Sequence, residues 1–193
     1  MSMSSFQNRI VRATKLDSNL YEEVEADKGA LWQAMAVVVF SSIAAGIGIG
    51  LKTGSFSGII TGSIAALISW YVWAYLTYFI GTKFLPEPNT EADLGELLRT
   101  IGFSTSPGLL RVFYFIPGVG VLIFLISSLW MLVAMVIAVR QALDYNSTLR
   151  AVGVCVIGYV IQIFVFMKIF SIFGLISVTL FINYTIESLL LII

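Results

Sequence analysis

The sequence predicts an all-α protein, a polytopic bundle of transmembrane helices. Of its 193 residues, 59% are apolar and 11% are charged, whereas soluble domains have about 45–50% apolar and about 25% charged residues. Each of three long runs exceeds the roughly 20 apolar residues that a helix needs to cross a bilayer. None of them contains Asp, Glu, Lys or Arg, and they cover residues 29–51, 53–82 and 112–139.

The first 28 residues predict a cytoplasmic segment that is amphipathic and then acidic. Phe6, Ile10, Ala13 and Leu20 recur at near-helical spacing among basic residues, which is typical of a helix that lies on a membrane surface. A solvated tail is the alternative. The acidic stretch "YEEVEADKG" follows. This segment lacks the apolar core of a cleavable signal peptide, so we expect none.

Residues 29–193 predict the transmembrane domain, with five spans. The second span ends in the aromatic belt "WYVWAYLTYF", as expected where a helix meets the headgroups. The predicted spans cover about residues 30–51, 57–81, 97–116, 119–140 and 148–167. Residues 169–193 are apolar enough for a sixth span, and they either cross, lie at the interface or continue the fifth helix.

Helix-breaking residues interrupt the third span, "LLRTIGFSTSPGLLRVFYFIPGVG". Pro107, followed by Gly108, predicts a kink because proline removes one backbone hydrogen bond. Pro117 and Gly118 predict the turn of a helical hairpin. Small hydroxyl side chains precede the kink and can bond the carbonyls that it frees; they belong to Ser104, Thr105 and Ser106.

The basic residues predict the orientation. Cytoplasmic loops of membrane proteins carry an excess of Lys and Arg. With the N-terminus in the cytoplasm, only Lys52 faces the opposite side, while Arg111 and Lys168 fall within or near spans. The cytoplasmic side then carries Arg9, Arg12, Lys15, Lys28, Lys83, Arg99, Arg140 and Arg150. We therefore expect a cell inner-membrane protein with its N-terminus inside.

Arg111 is the charged residue that most strongly suggests a site within the membrane. A charge near the bilayer centre is costly and usually faces the protein interior or a cavity. Arg111 either snorkels to the headgroups or turns inward, where its guanidinium would bind a lipid phosphate or a carboxylate. With Ser104, Thr105 and Ser106 it forms a candidate polar site. For Lys168 we expect snorkelling.

Two further groups of residues predict packing. Glu96 and Arg99 lie three residues apart at the cytoplasmic entrance of the third span, where they form a local ion pair or engage Glu22 and Glu25 of the acidic stretch. Small residues that recur at every fourth position let two helices approach closely. This pattern comprises Gly54, Gly58, Gly62 and Ala66, and its partner is another helix of the same chain or a second copy.

Composition excludes several kinds of site. The chain has no His and a single Cys, Cys155, which argues against zinc, haem or an internal disulfide. Its net charge is zero, and it has no clustered basic face for nucleic acid. We find no nucleophile with a base and no pair of buried acids. We therefore predict no cofactor, no metal, no catalytic residues and no enzymatic activity.

Three stretches together resemble the bacterial branch of the Yip1 family of small polytopic membrane proteins. They are "YEEVEADKGALWQAMAVVV", "PEPNTEADLGELLRTIGFSTSPGLLRVFYFIPGVG" and "WMLVAMVIAVRQALDYNSTLRAVGVC", and the resemblance covers about residues 16–166. It implies a cytoplasmic N-terminus and about five spans. Eukaryotic members associate with prenylated Rab-type GTPases, a partner that is not carried over to a bacterial chain.

These observations together predict a structural function. We expect a scaffold or adaptor that contacts membrane lipids and associates with a protein partner or with itself. Two alternatives stay open: a lipid- or solute-handling conduit, and an accessory subunit of a larger membrane complex.

Overall fold

The computed structural model of the protein describes residues 3–173, and every regular element within them is helical. The all-α prediction is confirmed. The α-helices are α1 Met3–Thr14, α2 Ser18–Ala26, α3 Ala30–Thr53, α4 Gly58–Phe79, α5 Leu94–Ser104, α6 Gly120–Ala142 and α7 Thr148–Phe173. A π-helical turn, Ile80–Phe84, continues α4, and a 3₁₀ segment, Ser106–Phe115, follows α5.

Four helices in the described part of the chain are long and apolar enough to cross a membrane. They are α3, α4 with its π-helical turn, α6 and the first 18 residues of α7, and they correspond to the first, second, fourth and fifth predicted spans. Helix α7 continues past the predicted end at 167 as far as Phe173. The rest of the uncertain region 169–193 lies outside the described residues.

The third predicted span is two elements rather than one kinked α-helix. Helix α5 ends at Ser104, and Pro107 stands in the first turn of the 3₁₀ segment. Proline cannot donate to the carbonyl of Phe103, four residues earlier, and the Ser106 hydroxyl donates to that carbonyl instead, at 2.7 Å. The chain then tightens to 3₁₀ geometry, in which the Gly108 N–H donates to the Thr105 carbonyl.

Helix α5 and the 3₁₀ segment run beside α3 in the same direction. Gly102 lies against Ala34 and Gly108 against Ser41, whereas Gly48 lies against the backbone of Arg111. With rises of about 1.5 Å per α-helical residue and about 2.0 Å per 3₁₀ residue, the two elements together extend about 36 Å. That length matches a transmembrane helix, although it lies partly in 3₁₀ geometry.

The loops divide the bundle into two ends. At the near end, the Tyr145 hydroxyl donates to the carbonyls of Gly81 and Leu85, at 2.9 and 2.6 Å, and helices α1 and α2 pack there. At the far end, Lys52 lies over the Tyr114 ring, beside the turn where Gly118 has a φ of 80°. The segment 94–115 therefore runs from the near end to the far end, with α5 between α4 and α6 and the 3₁₀ segment against α3 and α6.

Candidate functional site

Arg111 points into the bundle. Its side chain is buried, with 7% of the residue exposed. Its Nη2 donates to the Ser128 Oγ at 2.9 Å, and its guanidinium carbon lies 4.9 Å from the centre of the Phe124 ring, within cation–π distance. Both neighbours belong to α6, so the arginine links the 3₁₀ segment to the following helix.

The three hydroxyl residues predicted to share a site with Arg111 bond to the backbone. Ser104, Thr105 and Ser106 each donate to the carbonyl three residues earlier, at 2.7 Å. Their hydroxyls thus donate hydrogen bonds to backbone carbonyls at the point where the α-helix changes to 3₁₀ geometry. Sequence reasoning missed Ser128, although a pair of serines inside the uncharged run 112–139 was a visible signal for a polar partner.

The three glycines of the predicted small-residue face are open in the described part of the chain, whereas Ala66 is partly buried against the core. Gly54 ends α3 with a φ of 77°. Within residues 3–173, no atom lies within 4 Å of a Cβ added at Gly58, and a Cβ added at Gly62 meets only the Ser42 hydroxyl, at 3.8 Å. Close approaches between elements lie instead at other glycines, among them Gly48, Gly102 and Gly108. Packing of the predicted face, which includes Ala66, against a second copy stays a prediction.

The Arg99 side chain contacts backbone carbonyls of the acidic stretch. Its Nε donates to the Val24 carbonyl at 2.9 Å, and its Nη2 donates to the Glu25 carbonyl. These carbonyls belong to the last turn of α2, where intrahelical donors are lacking. Within residues 3–173, no ion pair joins Arg99 to Glu22, Glu25 or Glu96. The predicted salt bridge is replaced by a cation at a helix C-terminus, which the helix dipole favours.

Glu96 has a local structural function. Its carboxylate accepts from the backbone N–H of Asp93 at 2.7 Å, while the Asp93 carboxylate accepts from the N–H of Glu96 at 2.8 Å. This reciprocal capping box fixes the start of α5. It thereby places Arg99, one turn later on the same helix, beneath the end of α2.

Helices α1 and α2 form an ion-paired unit, which we call the N-terminal hairpin (residues 3–26). Arg9 pairs with Glu23 and with Asp27, both at 2.9 Å. Arg12 pairs with Asp17 at 2.7 Å and also with Glu23. Burial raises the pKa of Glu23, but the hydrogen bonds from Arg12 and Arg9 outweigh it and hold that pKa below its usual range.

The N-terminal hairpin is packed onto the bundle. Leu20, Tyr21 and Val24 of α2 have no exposed surface, and the Phe6 ring of α1 lies 6.5 Å from the ring of Phe40 in α3. At about 25 cal/mol per Å² of apolar surface, burial of three such side chains stabilises docking by several kcal/mol. The amphipathic face predicted for α1 therefore contacts protein.

An acidic cavity of about 410 Å³ opens where α2 meets α5 and α6. Gln141 bridges it by donating to the Glu22 carboxylate at 2.8 Å. Burial, followed by repulsion from Asp144 and Glu96, raises the pKa of Glu25 to about 7. The residues that line this acidic cavity are Glu22, Glu25, Ala26, Glu96, Arg140, Gln141, Asp144 and Tyr145.

Only part of the acidic cavity could be predicted from the sequence. Three of its carboxylates, those of Glu22, Glu25 and Glu96, belong to residues that we predicted to form ion pairs. Arg140 and Asp144 lie at and just after the end of α6 and were not predicted to join them. Asp144 takes a φ of 52°, a left-handed conformation that Asp tolerates better than most residues. Among residues 3–173, no group of three or more His, Cys, Asp or Glu side chains is arranged to hold a metal ion.

Comparison with known proteins identifies one family. A family model described as the Yip1 domain matches residues 18–169, from the first residue of α2 into α7. No curated protein and no solved structure gives a significant match.

Proposed function

The chain belongs to the Yip1 family, and from this membership we propose that it is a non-enzymatic scaffold or adaptor of the cell inner membrane. The family and the four apolar helices make it an integral membrane protein. The observation that carries the proposal is the N-terminal hairpin, which is folded onto the near end of the bundle. It concentrates charged side chains on one surface, whereas close packing at Gly48, Gly102 and Gly108 fills the space between α3 and the segment 94–115.

We further propose that the described part of the chain crosses the membrane five times. Segment 94–115 would be the third crossing, because it runs the length of the bundle beside α3. The near end would face the cytoplasm, since it carries the hairpin arginines together with Arg99, Arg140 and Arg150. Lys52 lies at the far end. This distribution agrees with the excess of basic residues in cytoplasmic loops.

Cysteine labelling tests this topology. In a variant with Cys155→Ser, single cysteines are placed at four exposed loop positions: Ser55, Asn89, Val119 and Asn146. On intact cells, a membrane-impermeant maleimide should label the cysteines at Ser55 and Val119 and reach those at Asn89 and Asn146 only after permeabilisation. Labelling of Asn89 and Val119 from the same side would show that segment 94–115 does not cross. A fully inverted pattern would overturn the cytoplasmic N-terminus.

Purification in mild detergent tests the adaptor function. We expect the tagged protein to elute as a discrete assembly with a second protein, whose recovery falls at least several-fold when Glu22→Arg reverses a charge on the near end. Ser55→Arg at the far end is the matched control and should leave recovery unchanged. A monomer or homodimer without a partner would overturn the adaptor proposal. Stoichiometric recovery with the subunits of a large complex would favour the accessory-subunit alternative.

A conduit for lipids or solutes is the second candidate. The observation in its favour is Arg111, because a cation buried among transmembrane helices commonly marks a substrate path. The orientation of the Ser104, Thr105 and Ser106 hydroxyls toward the backbone weighs against a polar groove. If the protein is a conduit, proteoliposomes should show flux of a lipid or solute, and Arg111→Ala should abolish it.

A further inference from the structure

The interface between the N-terminal hairpin and the bundle has an apolar part and an acidic part. The acidic part is the acidic cavity, and both the hairpin and the bundle contribute carboxylates to it. Glu22 and Glu25 belong to the hairpin, whereas Glu96 and Asp144 belong to the bundle. Like charges that face one another across an interface oppose its closure.

We propose that docking of the N-terminal hairpin is proton-linked, so that the hairpin loosens from the bundle as the pH on its side of the membrane rises. The ionised carboxylates of the acidic cavity would then push α2 away from α5 and α6. After release, the ion pairs of Arg9 and Arg12 with Asp17, Glu23 and Asp27 would still hold α1 beside α2. Helix α2 has nine residues, too few to be stable without the bundle, so it would fray and its amides would exchange.

The cations near the acidic cavity only partly offset its carboxylates, because Arg99 lowers the pKa of Glu25 by less than burial and the neighbouring carboxylates raise it. The Arg99 guanidinium donates to the Val24 and Glu25 carbonyls, and the Arg140 Nε donates to the Tyr145 carbonyl at 3.1 Å. Among residues 3–173, no salt bridge reaches the four carboxylates of the cavity. The charged groups that face Glu25 or its neighbours are Glu22 from α2, Glu96 and Arg99 from α5, Arg140 from α6, and Glu91 and Asp144 from the flanking loops.

The direction of the pH effect follows from Glu25. Its pKa is about 7 in the docked state, where burial and the repulsion of Asp144 and Glu96 raise it, against an ordinary value of 4.5 when it is exposed. Docking therefore takes up a proton between these two values. The docked state is most favoured, as far as Glu25 is concerned, below the lower pH, and it loses that advantage as the pH rises through about 7.

The ion pairs of the N-terminal hairpin respond in the opposite direction. The Arg12 hydrogen bond lowers the pKa of Asp17, and the arginines lower that of Glu23. Their stabilisation is complete at neutral pH and is lost only in more acidic solution. Docking should thus be tightest in mildly acidic solution. Above neutral pH, release would expose the buried face formed by Leu20, Tyr21 and Val24.

Hydrogen–deuterium exchange of the full-length protein in lipid nanodiscs tests this inference. Rates for residues 18–26 are corrected for the intrinsic effect of pH and compared with α6 as an internal reference. The full difference in pKa would allow roughly a 300-fold change in the opening equilibrium over the whole titration, of which about tenfold falls between about pH 6 and about pH 8. Solvent screening of a half-buried group reduces this change, so we expect opening to increase several-fold between about pH 6 and about pH 8.

Three variants separate this linkage from a general change in stability. Glu25→Gln should remove most of the pH dependence and keep α2 protected above neutral pH. Glu23→Gln, which breaks ion pairs inside the hairpin, should speed exchange at every pH and leave its slope unchanged. Asp144→Asn, a substitution that tolerates the same backbone conformation, should weaken the pH dependence through a different residue. Wild-type exchange that does not change with pH, or an unchanged slope in both Glu25→Gln and Asp144→Asn, would overturn the proposal.

Discussion

Replacement of Gly48 with alanine should lower the thermal midpoint of the protein by about 5 °C. A Cβ at this position would overlap the Arg111 carbonyl oxygen and approach the Tyr114 Cβ to 3.0 Å. A backbone carbonyl cannot rotate away as a side chain would, so α3 and the 3₁₀ segment must separate. Overpacking of this kind costs about 1–3 kcal/mol. A thermal shift assay in detergent measures the change.

The matched control is Gly58→Ala. No atom of the described part of the chain lies within 4 Å of a Cβ at Gly58, and alanine is the better helix former by about 1 kcal/mol in a helix interior. The midpoint should therefore stay constant or rise slightly. Equal losses in the two variants would mean that the face of Gly54, Gly58 and Gly62 also packs closely, for example against a second copy. A loss in Gly58→Ala alone would contradict the packing described for α3.

The sequence was most informative about the helices that hydropathy alone defines. Long uncharged runs cannot satisfy their backbone groups in a bilayer except as helices, so α3, α4, α6 and α7 were predicted close to their observed bounds. The same uniform hydropathy left no periodicity to mark which face of each helix is buried. The contact glycines were therefore assigned to residues 54–66, where the spacing is regular, and the structure shows close approaches at Gly48, Gly102 and Gly108.

The third segment shows why the local consequence of a proline is hard to predict in detail. Pro107 and its hydroxyl neighbours signalled a break, and a break is present. The ten residues of 3₁₀ helix that follow could not be predicted from the sequence. The hydrogen-bond geometry of a 3₁₀ helix is poorer than that of an α-helix, so long 3₁₀ segments are uncommon. Contacts with α3 at Gly48 and Gly108, together with the Arg111–Ser128 bond, hold it in place, and these depend on residues distant in sequence.

The sequence predicted which charged residues lie at the near end, but it did not predict their hydrogen-bond partners. The charge pattern left two partners open for Arg99, namely Glu96 and the acidic stretch, and Arg99 contacts the acidic stretch. Carboxylates were the expected partners because opposite charges are visible in a sequence, whereas the unbonded carbonyls at the end of α2 become available only once that helix has formed. Asp144 lines the acidic cavity because of the turn that follows α6, and no pattern in the sequence predicted this turn.

Arg99→Met should release the N-terminal hairpin while leaving the bundle folded. Arg99 is 5% exposed, and its guanidinium donates to the carbonyls of Val24 and Glu25. Methionine keeps most of the apolar stem but leaves both buried carbonyls without that donor. Hydrogen bonds from charged groups contribute about 1.5–3 kcal/mol each, so the loss of two such bonds should increase opening of α2 at least about 100-fold. Hydrogen–deuterium exchange of residues 18–26 measures this change.

Two further variants test whether the effect comes from the paired hydrogen bonds. Arg99→Lys retains the charge, but an ammonium cannot reproduce the planar guanidinium that donates from two nitrogens, so it should recover only part of the protection. Arg150→Met removes an exposed arginine at the same end, one that donates to the Pro86 carbonyl, and should leave α2 unchanged. If exchange in Arg99→Met rises equally in α2 and α6, Arg99 stabilises the whole bundle and does not act as a clamp on the hairpin. A selective rise in α2 would make Arg99 a contact that holds the hairpin on the bundle through two carbonyls that do not titrate.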